Sequence, residues 1–165
     1  MARVAALIPA RDEAPRIGAV IEALRAQLPG VPVLVVDSGS MDETGAIARA
    51  AGARVLRQRT LGYAGALAEG YVELRRWGIE RVVQLDADGQ HPAGRARTLL
   101  AGLREADLVI GCRDDGACGT AGAMHRALGR QLLSSLIRRT CGVATRDPTS
   151  GFWALGPRAL EAFSA

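Results

Sequence analysis

"VPVLVVDSGSMDETGAIARAAGARVLRQ", residues 31–58, is the stretch that decides the fold. It opens on a near-continuous β-branched run, 31–37, the pattern of a strand covered on both faces. A helix-type run follows, from a Ser40 cap to Gly52, and then a weaker strand at 54–58. Strand, helix and strand at this spacing require a crossover connection and hence parallel pairing. The same alternation continues in both directions. Upstream, "VAALIP" (4–9) is apolar and strand-length. "PRIGAVIEALRAQLPG" then sets Ile17, Val20, Ile21, Leu24 and Leu28 on one helical face, with Pro15 in the first turn. Downstream, 64–77 reads as a helix, 81–86 as a strand, 92–105 as a helix and 107–112 as a strand. "CRDDGACGTAGA" (112–123) reads as a glycine-rich loop, ahead of a helix at 124–140 and a short strand at 151–156. The expectation is an α/β chain: one Rossmann-like domain over residues 1–165, with a mostly parallel central sheet flanked by helices.

Composition removes several function classes. No apolar run approaches the roughly 20 residues that span a bilayer. "MARVAALIPARDE" has no small-residue cleavage pattern and runs straight into Asp12 and Glu13, so it reads as a first strand and not a leader. The net charge is +4, and all 21 basic residues are arginine. Any phosphate clamp here must therefore use guanidinium groups, which grip oxyanions bidentately. The arginines are scattered and only 4% of residues are aromatic, which argues against a stacking platform and against nucleic acid as a partner. Cys112, Cys118 and Cys141 are odd in number and lack metal-ligand spacing, the usage of reduced thiols in a cytoplasmic protein.

In an open parallel sheet, ligands collect beyond the carboxyl ends of the strands. Pro9, Ala10, Arg11, Asp12 and Glu13 follow the first strand; Asp37, Ser38, Gly39 and Ser40 follow the second. Asp86, Asp88, Gln90 and His91 follow the fourth, and Arg113 the fifth. In "VVQLDADGQHP" (82–92) alternate residues point the same way, so Asp86, Asp88 and Gln90 can converge. Such hard oxygen donors suit Mg²⁺ or Mn²⁺, which bridge to substrate phosphates. Asp-x-Asp-Gly is also a good turn; the strand-end setting and the neighbouring Gln90 and His91 tilt the reading toward metal. His91 is a third ligand, a base, or simply the residue before Pro92. Zinc is disfavoured, because no cysteine is near and His125 is remote. Asp37 can accept a hydrogen bond from a base imide or a ribose hydroxyl, while Ser40, Asp42 and Glu43 favour a helix start. "TLGYAGALAEG" (60–70) lacks the G-x-G-x-x-G spacing, and without lysine there is no Walker motif, so dehydrogenase and P-loop readings are weak.

Five segments in order, "ALIPARDEAPRI", "VLVVDSGSMDET", "GYAGALAEGY", "VVQLDADGQHP" and "RDPTSGFWAL", resemble family-2 glycosyltransferases, most closely the dolichyl- or polyprenyl-phosphate mannosyl- and glucosyltransferase branch. The resemblance implies a GT-A fold, a nucleotide-diphospho-sugar donor with a divalent metal, and transfer with inversion. It implies that Pro9, Ala10, Arg11 and Glu13 line the nucleotide, with Asp37 on the base and Ser38 beside it. Asp86 and Asp88 match the family's Asp-x-Asp, with Gln90 as a further metal ligand. Arg113 and Arg126, with Arg130 a weaker candidate, fall near the diphosphate or an acceptor phosphate. Asp147 sits at the acceptor side with Ser150 and Gly151; for a hydroxyl acceptor it would take the proton. The implied acceptor is a lipid phosphate reached from the cytoplasmic face of a membrane. The chain departs from the family pattern at Ser38, Tyr63 and Trp153, where a second aspartate, a lysine and an arginine are usual. Relatives also continue with further helices past the position of Ala165, so a C-terminally short version is expected. Two other readings compete: a sugar-phosphate nucleotidyltransferase, whose glycine-rich basic signature "PARDEAPRI" lacks, and a nucleotide-sugar-binding module without activity.

Overall fold

The structure, a computed structural model, describes residues 3–60, 62–90, 93–112, 133–140 and 147–164. The element order is β1 (Val4–Ala10), α1 (Ala14–Gln27), β2 (Val33–Asp37), α2 (Thr44–Ala50), β3 (Arg54–Arg57), α3 (Tyr63–Arg76) and β4 (Arg81–Gln84). A 3₁₀ turn (Ala93–Arg95), α4 (Ala96–Gly102), β5 (Leu108–Ile110), β6 (Trp153–Leu155) and α6 (Pro157–Phe163) follow; residues 133–140 are helical and are labelled α5. The six strands lie in the order β3-β2-β1-β4-β6-β5. β1 pairs in parallel with both β2 and β4, and β2 with β3.

Why these strands pack as they do follows from their composition. Along β1, Ala6 and Ile8 enter one core while Ala5 and Leu7 enter the other, so apolar residues are needed at consecutive positions. The first core is closed by Ile17, Val20, Ile21 and Leu24 of α1, the second by Ala66, Tyr71 and Leu74 of α3. β3 is one edge of the sheet, and its exposed Arg54 and Arg57 discourage pairing with another chain. The Arg54 guanidinium also lies 4.7 Å over the Trp77 ring.

The sheet departs from a uniformly parallel one at its far side. β6 lies between β4 and β5 and is antiparallel to both. A three-residue strand carries too little pattern to announce its direction; pairing on both sides decides it. Because β6 runs against β4, the turn that precedes it, Asp147–Ser150, stands at the carboxyl edge where β4 ends. The helix expected over 92–105 is split into the 3₁₀ turn and α4. α6 was not anticipated; Pro157 starts it and Leu160 anchors it in the second core. The glycine-rich stretch from 113 and most of the helix expected at 124–140 lie outside the described residues. Among the described residues, no helix is long and apolar enough to cross a membrane.

Candidate active site

β1, β2 and β3 end at a pocket of about 460 Å³, lined by Pro9, Ala10, Arg11, Ser38, Gly39, Arg57, Gln58, Arg59, Thr60, Gly62 and Tyr63. Its floor is held by two interlocked loops. Asp12 adopts φ 53°, a conformation aspartate tolerates. Its backbone N–H donates to Ser40 Oγ (3.1 Å), and its Oδ1 accepts from the Met41 N–H (2.7 Å). The Glu13 N–H donates to Thr44 Oγ1 at 2.8 Å, and the Ala14 N–H to Asp42 Oδ2 at 3.1 Å. A bond from the Thr44 hydroxyl first, then those from the backbone N–H groups of Ala14 and Thr44, hold the Asp42 carboxyl below its ordinary value. Ser40 was expected to cap α2, but that helix begins at Thr44. Ser40 instead gives both its N–H and its hydroxyl to Asp37 Oδ1, at 2.9 and 2.6 Å.

The nucleotide-lining candidates therefore divide. Pro9, Ala10, Arg11 and Ser38 line the pocket. Glu13 stands at the start of α1 with its carboxylate on Arg16 (2.7 Å), and Asp37 is half-buried and bound to the Ser40 turn. Sequence reading missed the outer wall, Arg57 to Thr60, although the rule used for the other strand ends applies equally to β3. That wall is stapled to α3. Glu69 accepts from the N–H groups of Arg59 and Thr60, and the Gln58 amide donates to the carbonyls of Thr60 and Gly62. The bonds to Glu69, those from Thr60 foremost, lower its carboxyl from the ordinary value.

Beyond β4, Leu85 and Ala87 are buried while Asp86 and Asp88 are half-buried, so the two acids share one face as the alternation predicts. Gly89 takes φ 74°, the left-handed geometry that turns the chain, and the Gln90 N–H donates to Asp88 Oδ1 at 2.9 Å. The turn and metal readings of Asp-Ala-Asp-Gly are thus compatible. Among the described residues, no group of three or more His, Cys, Asp or Glu side chains gathers to hold a metal alone. Two carboxylates with an adjacent amide fit a hard cation that takes its remaining ligands from water and substrate phosphate. His91 lies outside the described residues, as do Arg113, Arg126 and Arg130.

Tyr63, at the start of α3, joins the pocket to this pair: it lines the pocket, and its hydroxyl donates to Asp86 Oδ1 at 2.7 Å. Burial of its hydroxyl end, then the bond and charge of Asp86, raise this phenol well above its ordinary value. Gly151 lies against the same carboxylate: a Cβ there would stand 2.0 Å from Asp86 Oδ2. Asp147 is 2% exposed, and its Oδ1 accepts from the N–H (3.3 Å) and hydroxyl (2.9 Å) of Thr149. Ser150 Oγ donates to the Gly111 carbonyl and accepts from the Phe152 N–H. Trp153 packs its ring 6.1 Å from that of Phe163, and its indole N–H donates to the Ser150 carbonyl.

The model of the family described as glycosyl transferase family 2 matches residues 5–163. The chain belongs to that family. An undecaprenyl-phosphate mannosyltransferase of Micrococcus luteus is 40% identical over 121 residues, covering 67% of this chain and 48% of the relative. A polyprenol monophosphomannose synthase of Mycolicibacterium smegmatis is 32% identical over 169 residues, covering 96% of this chain and 63% of the relative. The chain thus spans about half to two-thirds of these relatives' length. Among solved structures, the glucosyl-3-phosphoglycerate synthase of Mycobacterium tuberculosis, in complex with Mn²⁺, UDP-glucose and phosphoglyceric acid, superposes with a TM-score of 0.69. It is 26% identical, covering 95% of this chain and 57% of that one. The mannosyl-3-phosphoglycerate synthase of Rubrobacter xylanophilus superposes with a TM-score of 0.73 at 20% identity, covering 94% and 53%, a likeness of fold alone. The architecture is the GT-A glycosyltransferase fold.

Proposed function

We propose that this family-2 domain transfers a hexosyl group, with inversion, from a nucleotide-diphospho-sugar to a polyprenyl phosphate, with Mg²⁺ or Mn²⁺ as cofactor. One observation carries the reading: a nucleotide-sized pocket at the ends of β1 to β3 meets a carboxylate pair at the end of β4, with Tyr63 belonging to both. Pro9, Ala10, Arg11 and Ser38 would enclose the nucleoside, Asp37 shaping its floor through the Ser40 turn. Arg57 and Arg59 add positive charge at the rim. Asp86, Asp88 and Gln90 would hold the cation, whose chemistry is to neutralise charge on the leaving diphosphate.

The acceptor assignment has two supports. The relatives at 40% and 32% identity are named for undecaprenyl phosphate and polyprenol. An anionic phosphate also needs no base to become nucleophilic, and the buried Asp147, turned onto Thr149, is better suited to holding its turn than to taking a proton. Arg113 and Arg126, with Arg130 a weaker candidate, would supply the guanidinium groups that phosphate recognition requires. A lipid acceptor places the protein at the cytoplasmic face of a membrane as a peripheral partner.

The test is to incubate the chain with GDP-mannose or UDP-glucose and a short-chain polyprenyl phosphate in detergent, with Mn²⁺ or EDTA. Metal-dependent formation of a lipid-linked sugar with release of nucleoside diphosphate is expected. Tight nucleotide-sugar binding with no release for any acceptor would make the chain a binding module. Consumption of nucleoside triphosphate with pyrophosphate release would make it a nucleotidyltransferase.

A further inference from the structure

Gln84 is a polar residue inside a buried strand, 1% exposed, and such a group is stable only when fully bonded. Its Oε1 accepts from the Tyr71 hydroxyl, and its Nε2 donates to the Gly151 carbonyl at 3.2 Å and, more weakly, to the Tyr63 hydroxyl at 3.4 Å. The Tyr63 hydroxyl in turn donates a hydrogen bond to Asp86 Oδ1. Three segments distant in sequence, the start of α3, the end of β4 and the turn before β6, therefore converge on one carboxylate. Gly151 leaves no room for a Cβ beside Asp86, and the Tyr63 hydroxyl binds the same carboxylate.

A purely structural account explains Tyr71, which is buried, but fits Tyr63 poorly. Tyr63 is 52% exposed and contributes little to either core, yet its hydroxyl is directed at the first acid of the Asp-x-Asp pair. The donor is also neutral. A cationic donor there would repel a metal ion and offset the charge of the pair, whereas a phenol fixes the carboxylate and leaves its full negative charge in place.

We infer that Tyr63 is a positioning residue of the donor site: its hydroxyl, backed by Gln84, holds Asp86 in one rotamer against Gly151. This rests on the reading of Asp86 and Asp88 as the metal–donor pair. Tyr63→Phe deletes one oxygen and keeps the ring. Calorimetric titration of wild type, Y63F, D86N and the double variant with GDP and with UDP, at saturating Mn²⁺, tests it. Nucleotide is carried to millimolar so that the weakened D86N background stays measurable. Y63F is expected to melt with wild type and to bind the metal–nucleotide pair roughly 10- to 100-fold more weakly, the range for lost outer-shell partners of a metal ligand. In the D86N background the same change is expected to alter affinity less than about two-fold, because the residue acts through Asp86. Equal affinity of Y63F and wild type, losses that multiply independently, or a lowered melting temperature for Y63F would each overturn the inference and leave the donor site standing. Failure of the wild-type chain to bind either nucleotide with Mn²⁺ would overturn the donor-site reading and this inference with it.

Discussion

Replacing Gly151 with alanine probes the site with a single methyl group. Built on the present backbone, that Cβ would lie 2.0 Å from Asp86 Oδ2, 2.4 Å from Cγ and 2.5 Å from Oδ1. Ordinary contact distances begin near 3.5 Å, so about 1.5 Å of clearance must be created. Moving the carboxylate away disturbs the 2.7 Å hydrogen bond that its Oδ1 accepts from the Tyr63 hydroxyl. The Gly151 peptide is buried and its carbonyl is tied to Gln84, so the backbone resists as well. Overpacking of this kind costs about 1–3 kcal/mol, a fall in Tm of roughly 2–12 °C for a domain of this size. A displacement of about 1 Å at a reacting site costs about 100-fold in rate. G151A is therefore expected to fold, to melt lower, and to lose metal-dependent nucleotide binding and transfer by about two orders of magnitude. Gly94→Ala is the control, since among the described residues nothing beyond its own local chain lies within 4 Å of its added methyl. Thermal melts, calorimetry with Mn²⁺ and GDP or UDP, and the lipid-linked sugar assay read the three effects. Wild-type melting and wild-type affinity in G151A would refute the packing of Asp86 on Gly151.

Asp88→Asn keeps the shape that receives the Gln90 N–H but removes the charge. Its Tm should stay at the wild-type value while Mn²⁺-dependent nucleotide affinity, read by calorimetry, falls by at least about 100-fold. Gln84→Leu strands the Tyr71 hydroxyl, in a residue 2% exposed, and removes a donor from the Gly151 carbonyl. Urea unfolding should show a loss of about 2–4 kcal/mol, part of which Q84L/Y71F recovers. Glu69→Gln tests the loop staple by its pH dependence. The folded carboxyl is depressed, so its stabilisation is complete above the ordinary value of 4.5 and disappears as pH falls through the lower folded value. Wild type should therefore melt above E69Q at neutral pH, with the gap closing below about pH 4.5; a gap constant with pH would remove the staple.

Local signals carried much of this. The β-branched run at 31–37 and the apolar 4–9 stretch became β2 and β1 because both faces of a central strand are buried, a demand written into consecutive residues. Asp86 and Asp88 were legible because the strand's two-residue period continues past its last hydrogen bond. Ser40 misled, since a serine ahead of a helix looks like a cap whether its hydroxyl turns to the helix or back to Asp37. The wall from Arg57 to Thr60 was overlooked because β3 is a weak edge strand with exposed arginines and little apolar pattern.

The sequence by itself determined the alternation of strands and helices and which strand ends carry acids, for these depend on residue types at short, fixed spacings. Only the tertiary structure decided that β6 inserts antiparallel beside β4, bringing Gly151 against Asp86, and that Tyr63 reaches the same carboxylate. Those contacts join residues far apart in the chain, and no periodicity encodes them. Sheet order and helix packing must first bring the segments together before a hydroxyl and a missing methyl can fix one side chain.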